Sequence, residues 1–243
     1  MSAPRAIVMA GPGTNRDRDV ALALRLAGAE PTVAAVDELT EHPRRLNDVE
    51  LVVIAGGFSY GDALGAGRML ALDVTARRGG RLGEALREFV GRGGPVIGIC
   101  NGFQVLTRAG LLPGSLGHNS TGRFDCRWVT LAKAPRSRCI WTADAPNLIE
   151  CPIAHGEGRY VHPDPKALDA AGQVALRYSG GNPNGSVDDI AGVCDESGLV
   201  LGLMPHPENH AVARQHPRHR RDRAALGTLG LGLFTSAVRH VRS

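Results

Sequence analysis

The first hundred residues alternate short apolar runs with stretches whose apolar residues recur at helical spacing. Between the runs, Val20, Ala23 and Leu24 fall on one helical face that Gly28 ends, and Leu82–Arg92 gives a second helical pattern. The runs predict buried strands at Arg5–Ala10, Pro31–Val36, Leu51–Ala55 and Pro95–Ile99. This β-α-β alternation predicts a parallel sheet with helices on both faces.

The second half of the chain follows a different pattern. Phe124–Leu131 and Val174–Tyr178 read as shorter, alternating strands, which we interpret as antiparallel additions to the main sheet. Gly180–Ser186 consists of turn-forming residues and predicts a loop. Gly198–Met204 predicts a further strand and Leu226–Val241 a final helix. The expected fold class is α/β, with a mostly parallel central sheet flanked by helices and antiparallel additions, in a single domain spanning residues 1–243.

Composition and charge exclude several classes of protein. Hydrophobic residues make up 43% of the 243 residues and the formal net charge is only +4, which excludes disordered and fibrous chains. Lysine occurs only at Lys133 and Lys166, so the basic character reflects arginines spread along the chain and does not indicate nucleic-acid binding.

The sequence offers no membrane span and no disulfide framework. Apolar runs such as Leu51–Ala55 and Leu199–Met204 are far shorter than the roughly 18 residues that a spanning helix needs. The N-terminal apolar run ends at Gly11, too early for a signal peptide. The five cysteines are odd in number and form no C-x-x-C. We therefore expect no membrane association and a cytoplasmic location.

Cys100 is the strongest candidate for a reactive group. It lies at the centre of Gly98-Ile99-Cys100-Asn101-Gly102, directly after a predicted buried strand and before the helical run Phe103–Ala109. Glycines two positions away on each side let a strand turn sharply into a helix, as in a nucleophile elbow. A thiol there meets unpaired N–H groups and the positive end of the helix dipole, which favour the thiolate.

A base for this thiol is predicted at the end of the Gly198–Met204 strand. In Met204-Pro205-His206-Pro207-Glu208, the two prolines hold the chain extended, so His206 and Glu208 project to the same side. The motif therefore predicts that the His206 imidazole is oriented by the Glu208 carboxylate.

The glycine-rich segment Ala55–Asp62 follows the third predicted strand. Its backbone N–H groups are candidates to face a developing oxyanion at the same sheet edge. It is not a phosphate-binding P-loop, because it lacks the G-K-[ST] lysine.

These motifs resemble the class I (triad) glutamine amidotransferases, which carry G-x-C-x-G-x-Q, here Gly98–Gln104, and a strand-end His-x-Glu, here His206–Glu208. The resemblance covers the chain from Ala10 to Phe234 and implies a flavodoxin-like fold. Within that family, the glutaminase component of phosphoribosylformylglycinamidine synthase is most similar, through Gly56–Asp62, Cys100–Gln104, Asn119–Thr121, His155–Tyr160, Asn182–Ser186 and Pro205–Glu208.

The resemblance implies that Cys100 attacks the side-chain amide of glutamine, that His206 shuttles protons and that Glu208 orients His206. It implies an oxyanion hole of N–H groups at Gly57 and Asn101. The substrate-binding residues that it implies are Phe58, Gln104, Asn119, Ser120 and Phe124.

Ammonia would pass to a large synthetase subunit, which uses ATP and Mg to aminate formylglycinamide ribonucleotide in purine biosynthesis. A small accessory subunit is a further candidate partner. The resemblance implies no cofactor and no metal in this subunit.

Two departures accompany the resemblance. The family usually has an arginine directly after His-x-Glu, where this chain has Asn209. Leu64–Gly67 is more similar to the fused, large form of the synthase, whereas Cys100–Gln104 and Ala109–Gly114 are more similar to the separate small subunit. The length and the start at Met1 favour a separate subunit.

Three alternatives remain at this point. A stand-alone γ-glutamyl hydrolase of the same fold keeps the enzyme class but has no ammonia acceptor. A nucleic-acid-binding segment is suggested by a run of basic residues, namely Arg214, His216, Arg218, His219, Arg220, Arg221 and Arg223. A metal site from His206, His210, His216 and His219 is the third, although Pro205, Pro207 and Pro217 interrupt the helix that it needs.

Overall fold

The structure of the protein is a computed structural model, which describes residues 2–220 and 227–243. Within these residues eleven strands occur: β1 Arg5–Ala10, β2 Glu30–Ala35, β3 Leu51–Ile54, β4 Val96–Ile99, β5 Ser115–Gly117, β6 Asp125–Lys133, β7 Leu148–His155, β8 Arg159–Val161, β9 Val174–Ser179, β10 Ile190–Cys194 and β11 Val200–Leu203. Nine of them form one sheet in the order β2-β1-β3-β4-β11-β10-β9-β6-β7. β5 and β8 pair in a small separate sheet.

The large sheet has a parallel and an antiparallel half. β2, β1, β3, β4 and β11 are parallel neighbours. β10, β9, β6 and β7 continue the same sheet in antiparallel pairs. This arrangement confirms the expected fold class. It also places the carboxyl ends of β3, β4 and β11 side by side, so the segments after them meet at one edge.

Seven α-helices flank the sheet in the described residues: α1 Asp17–Ala27, α2 Val36–Glu41, α3 Arg68–Thr75, α4 Arg81–Gly91, α5 Asn101–Arg108, α6 Pro165–Ala170 and α7 Leu231–His240. Gly28 ends α1 in the left-handed conformation, as predicted. α1 packs with α7, whereas α3 packs with α4 and α5. In the described part of the chain, no helix is both long enough and apolar enough to cross a membrane.

Several element predictions were wrong or incomplete. Val36 begins α2 instead of ending a strand, because its buried side chain belongs to that helix's packed face. The final helix begins only at Leu231, and the predicted start at Leu226 lies outside the described residues. A Cβ on Gly230 would lie 2.3 Å from the Pro207 carbonyl oxygen, so the chain makes a close crossing before this helix starts.

Within the described residues, four strands (β5, β7, β8 and β10) and three helices (α2, α3 and α6) were not predicted from the sequence patterns. β7 contains Pro152, which weakens a strand prediction but is tolerated at the sheet edge where β7 lies. β10 is short and contains Gly192. α3 follows the glycine-rich loop and was not predicted.

Candidate active site

The turn between β4 and α5 holds Cys100 in a strained backbone conformation, with φ 52° and ψ −103°. Close packing enforces this turn. A Cβ on Gly98 would lie 2.5 Å from the Gly102 carbonyl oxygen, and one on Gly102 would lie 2.1 Å from the Ile54 carbonyl oxygen. The Cys100 N–H donates to the Leu203 carbonyl at 2.8 Å, which ties the elbow to β11. Only glycine therefore fits at positions 98 and 102, two residues before and after the thiol.

His206 and Glu208 lie directly after β11 and are both buried. The His206 N–H donates to the Pro152 carbonyl at 2.8 Å, and its ring Nδ1 lies 2.7 Å from Glu208 Oε1. The two side chains meet as predicted, but the predicted extended chain was wrong. Pro207–His210 forms a short 3-10 helix, because proline is well suited to a first helical position, and this turn places Glu208 against the ring. The other carboxylate oxygen, Oε2 of Glu208, is buried and has no hydrogen-bond partner in the described residues.

Charge links this pair to the thiol. Burial lowers the pKa of His206, but the charges of Glu208 and Cys100 and their hydrogen bonds to the ring raise it to about 10. The imidazole therefore favours its charged form, in contact with both the Cys100 sulfur and the Glu208 carboxylate. A thiol beside an imidazole that a carboxylate orients is the arrangement of an activated cysteine nucleophile.

Gly56, at the end of β3, brings the two reactive side chains together. A Cβ at this position would lie 2.8 Å from His206 Cε1 and 3.4 Å from Cys100 Cβ. The backbone just after β3 therefore packs against both Cys100 and His206, and any side chain at Gly56 would displace the imidazole.

The predicted oxyanion donors lie in well-anchored backbone. Gly57 has φ 142° and forms an isolated bridge with Thr14. Its neighbour Phe58 donates its N–H to the Gly13 carbonyl at 3.1 Å. Asn101 is the first residue of α5, where a helix N–H has no partner within the helix. Both predicted positions therefore border the Cys100 turn with backbone donors at hand.

A chain of buried side-chain amides connects these loops. The Ser59 hydroxyl donates to Asn101 Oδ1 at 2.6 Å, and Asn101 Nδ2 donates to Gln104 Oε1 at 3.1 Å. Gln104 Nε2 then donates to the Glu157 carbonyl at 2.7 Å. The Gln104 amide therefore holds three segments together as well as bordering the cavity.

A cavity of about 270 Å³ is lined by five of the predicted site residues, Gly57, Phe58, Cys100, Gln104 and Phe124. Phe58 and Phe124 stack with ring centroids 6.1 Å apart and are 43% and 54% exposed. They form the mouth of the cavity. A larger groove of about 670 Å³ near Leu112 and His162 includes none of the predicted site residues.

Asn119 and Ser120 do not line this cavity. Asn119 Nδ2 donates to the carbonyls of Arg123 and His155, and its Oδ1 accepts from the Gly158 N–H at 3.1 Å. Ser120 is exposed, and its N–H donates to the Asn184 carbonyl at 2.9 Å. In this structure both residues support the cavity wall from behind.

Five ionisable residues border the cavity without having been named as site residues, namely His118, Arg123 and the three discussed next, Asp62, His155 and Glu157. Burial and the charge of His206 lower the pKa of His155 to about 4, so this imidazole stays neutral. Burial and the charge of Glu157 raise the pKa of Asp62. All three lie in quoted motifs, but their meeting at one cavity depends on loops that are distant in sequence.

The histidines considered as a metal site are engaged elsewhere. His210 and His216 pack edge-on against the Trp128 ring, and His216 Nε2 lies 3.3 Å from Glu150 Oε2. Among the described residues, no three His, Cys, Asp or Glu side chains are grouped to hold a metal ion.

The basic run continues on the same surface. Arg218 pairs with Glu150 at 2.9 Å, so this part of the run folds back onto β7. Arg221 and Arg223 lie outside the described residues.

Asn209 stands where the family usually has arginine. Its Nδ2 donates to Asp19 Oδ2 at 3.1 Å, and Arg16 pairs with the same carboxylate at 3.2 Å. Asn209 therefore ties the turn after β11 to the start of α1 through a hydrogen bond from its uncharged amide to the Asp19 carboxylate.

Comparison with known proteins identifies the family. The model of the CobB/CobQ-like glutamine amidotransferase domain matches residues 3–241. A Treponema denticola protein named phosphoribosylformylglycinamidine synthase subunit PurQ is 43% identical, over 98% of this chain and 99% of the relative. A Frankia casuarinae protein of the same name is 44% identical, over 98% and 94% of the two chains.

Solved structures agree with this result. A chain in the structure of PurLQS from Thermotoga maritima matches with a TM-score of 0.78 and 38% identity, over 98% of each chain. A glutamine amidotransferase of Thermotoga maritima at 17% identity shares the fold, with a TM-score of 0.60 over the full length of both chains. This chain therefore belongs to the glutamine amidotransferases and, within them, to the PurQ subunits of phosphoribosylformylglycinamidine synthase.

Proposed function

We propose that this chain releases ammonia from glutamine at Cys100 and supplies it to an ATP-dependent synthetase subunit, which converts formylglycinamide ribonucleotide to the amidine. The observation that carries the proposal is the buried Cys100, His206 and Glu208 arrangement beneath a cavity of about 270 Å³. The Thermotoga maritima relative is described as part of a PurLQS structure, which supports a synthetase partner. ATP and Mg belong to that partner in this proposal.

The first half of the reaction forms a thioester. The Cys100 sulfur attacks the side-chain carbonyl carbon of glutamine, and the carbonyl electrons move to oxygen. The N–H groups of Gly57 and Asn101 stabilise this negative charge by donating hydrogen bonds to the oxygen. The protonated His206 then gives its proton to the leaving nitrogen. The carbon–nitrogen bond breaks, and ammonia leaves a γ-glutamyl thioester.

The second half regenerates the thiolate. His206, now neutral, takes a proton from water, and the resulting hydroxide attacks the thioester carbon. The carbon–sulfur bond breaks and glutamate leaves, while His206 keeps the proton. Glu208 holds the ring throughout, at 2.7 Å from Nδ1.

A cytoplasmic location is part of the proposal. All five cysteines, which lie within the described residues, are free thiols, as is usual in a reducing compartment.

The proposal is tested by measuring glutamate release from glutamine with the purified chain, alone and with a co-purified synthetase subunit. We expect activation of about a hundredfold to a thousandfold, the size of one oxyanion donor, since three glycines in Gly56–Asp62 allow that loop to move. A fully active lone chain that ignores the synthetase contradicts the proposal and favours the γ-glutamyl hydrolase.

An electrophilic glutamine analogue gives an independent test of the nucleophile. We expect it to label Cys100, which is only 6% exposed, and to spare the exposed Cys126. Equal labelling of several cysteines by mass spectrometry contradicts a single activated thiol.

A further inference from the structure

A groove of about 390 Å³ lies between the start of α3 and the end of α5, outside the catalytic cavity. It is lined by Leu64, Arg68, Ala71, Leu72, Thr75 and Arg108. Leu64 is 73% exposed, the highest value among the large hydrophobic side chains of the described residues, and Leu72 is 51% exposed. Two large apolar side chains so exposed in one groove favour a surface that another protein covers.

The two arginines of the groove make no direct ion pair within the described residues. Neither Arg68 nor Arg108 lies within 4.0 Å of a carboxylate there, whereas most of the ion pairs that do form involve other arginines. Burial and the nearby positive charge of Arg68 lower the pKa of Arg108, and the charge of Glu157 offsets this only in part. Two like charges held together without a direct carboxylate contact favour an acidic group supplied from outside.

The walls of the groove continue directly into the catalytic elements. Leu64 belongs to the loop that begins with Gly56 and Gly57 and ends at α3. Arg108 ends α5, which starts immediately after Cys100. A Cβ on Gly67 would lie 2.9 Å from Gln104 Cβ, so the two walls touch inside the protein. A partner in the groove therefore presses on the oxyanion loop and on the nucleophile helix together.

Resting on the proposed function, we infer that this groove docks an acidic segment of the synthetase subunit, whose apolar side chains cover Leu64 and Leu72 and whose carboxylates pair with Arg68 and Arg108. Occupation of the groove fixes the Gly56–Gly67 loop and thereby switches on glutamine hydrolysis. The charge pattern selects an acidic protein segment. A phosphate backbone would satisfy the arginines but leave the leucines against a polar ligand.

The test measures the dissociation constant between the full-length chain and the purified synthetase subunit by isothermal titration calorimetry. The variants are the charge reversal Arg68→Glu with Arg108→Glu, and the apolar removal Leu72→Ser. We expect the charge reversal to weaken binding about tenfold or more and Leu72→Ser to weaken it several-fold. The same variants lose activation by the synthetase at subsaturating concentration and regain it at saturation.

A matched control lies on α1, where Leu22, Leu26 and Arg25 also form an exposed apolar and basic surface. Leu26→Ser with Arg25→Glu changes the same residue types at a distance from the groove, and we expect it to bind as the wild type does. Circular dichroism and the basal glutaminase rate of the isolated chain check that the variants are folded.

The outcomes separate this inference from the proposed function. Wild-type protein that binds no synthetase subunit overturns the proposed function and this inference with it. Wild-type binding that survives the groove substitutions, or falls equally in the α1 control, overturns the groove alone. A groove substitution that abolishes self-association, with synthetase binding unchanged, assigns the surface to a second copy of this chain.

Discussion

The catalytic elbow around Cys100 and the loop at the cavity mouth border the same cavity, but they are built in opposite ways. At the elbow, Gly98 and Gly102 each pack so closely that no side chain fits, and Cys100 is 6% exposed. In the loop after β3, Gly61 has nothing within 4 Å of a Cβ, and Leu64 projects into solvent. The elbow is fixed by close contacts between backbone atoms, whereas the loop is held by hydrogen bonds, such as that from the Tyr60 N–H to the Pro12 carbonyl at 2.6 Å, and leaves part of its surface exposed to solvent.

The loop also contains unusual backbone conformations. Tyr60, Asp62 and Leu64 all have positive φ, although none of them is glycine. Such conformations cost of order 1 kcal/mol each and persist where the surroundings hold them. The difference indicates that the groups at the elbow are already held in position within the chain, while the loop at the entrance is the part that can adjust to substrate and partner. Substitutions at the elbow should therefore reduce kcat, and those at the mouth should change KM.

The largest effect is expected from Cys100→Ala. Without the sulfur no thioester forms, so glutamine-dependent turnover of the assembled synthase should fall by about 10⁴-fold or more. Turnover with ammonia in place of glutamine bypasses this site and should persist. Assays with both nitrogen sources check this, and glutamine-dependent turnover retained in the variant would remove Cys100 from the mechanism.

His206 and Glu208 should rank next and should differ from each other. His206→Ala removes the proton carrier and should cost about 10⁴-fold in kcat, whereas Glu208→Gln keeps a hydrogen-bond partner and should cost about a hundredfold. Steady-state glutaminase assays of the complex measure both. Full activity in His206→Ala would move the base elsewhere, with His155 as the next candidate.

Gly56→Ala tests how closely the start of the loop after β3 fits against the catalytic pair. The added methyl would meet His206 Cε1 at 2.8 Å, so we expect kcat to fall about tenfold to a hundredfold through displacement of the imidazole. Gly91→Ala is the matched control, because a Cβ there has nothing within 4 Å. Wild-type kcat in Gly56→Ala would mean that the site accommodates the added methyl without displacing the imidazole.

The pKa values of His206 and His155 should be shifted in opposite directions. Since the pKa of His206 is raised to about 10, its charged pair stabilises the fold fully below about pH 6.5 and is lost as pH rises through about 10. Since the pKa of His155 is lowered to about 4, its neutral form stabilises the fold above about pH 6.5, and this is lost as pH falls through about 4. Ring-proton NMR of both imidazoles between pH 4 and 10 measures their pKa values. In Cys100→Ala the pKa of His206 should fall, because the charge and hydrogen bond of Cys100 contribute to raising it. Coincident midpoints near 6.5 would contradict both environments.

The smallest effect is expected at the mouth. Phe124→Ala removes a stacked ring and should raise KM for glutamine about threefold with kcat unchanged, because an exposed aromatic pair contributes about 0.5–1.5 kcal/mol. Leu148→Ala, also at an exposed apolar position, serves as control. A drop in kcat without a change in KM would place Phe124 with the elbow and not with the mouth.

Sequence patterns predicted the fold class and the parallel strands correctly, because buried parallel strands form continuous apolar runs. They also led to Cys100, His206 and Glu208, since glycine and proline restrict the backbone locally and leave a readable spacing. They missed β7 and β10, whose proline and glycine are acceptable only in this sheet. Local spacing carries no information on what packs beside a strand.

The sequence by itself determined the candidate nucleophile, its candidate base and the glycines that shape the elbow, because each depends on backbone restrictions within a few residues. Only the tertiary structure decided which distant groups share the cavity. It turned Asn119 and Ser120 toward the wall, brought Asp62 beside Glu157, and joined Ser59 to Gln104 through Asn101. The order β3-β4-β11 brings Asp62, Cys100 and His206 to one sheet edge, and the end of β7 reaches the same place, where the Pro152 carbonyl accepts the His206 N–H. Burial and mutual charge exist only once they have met there, so the opposite pKa values of His155 and His206 belong to the fold and not to the motifs.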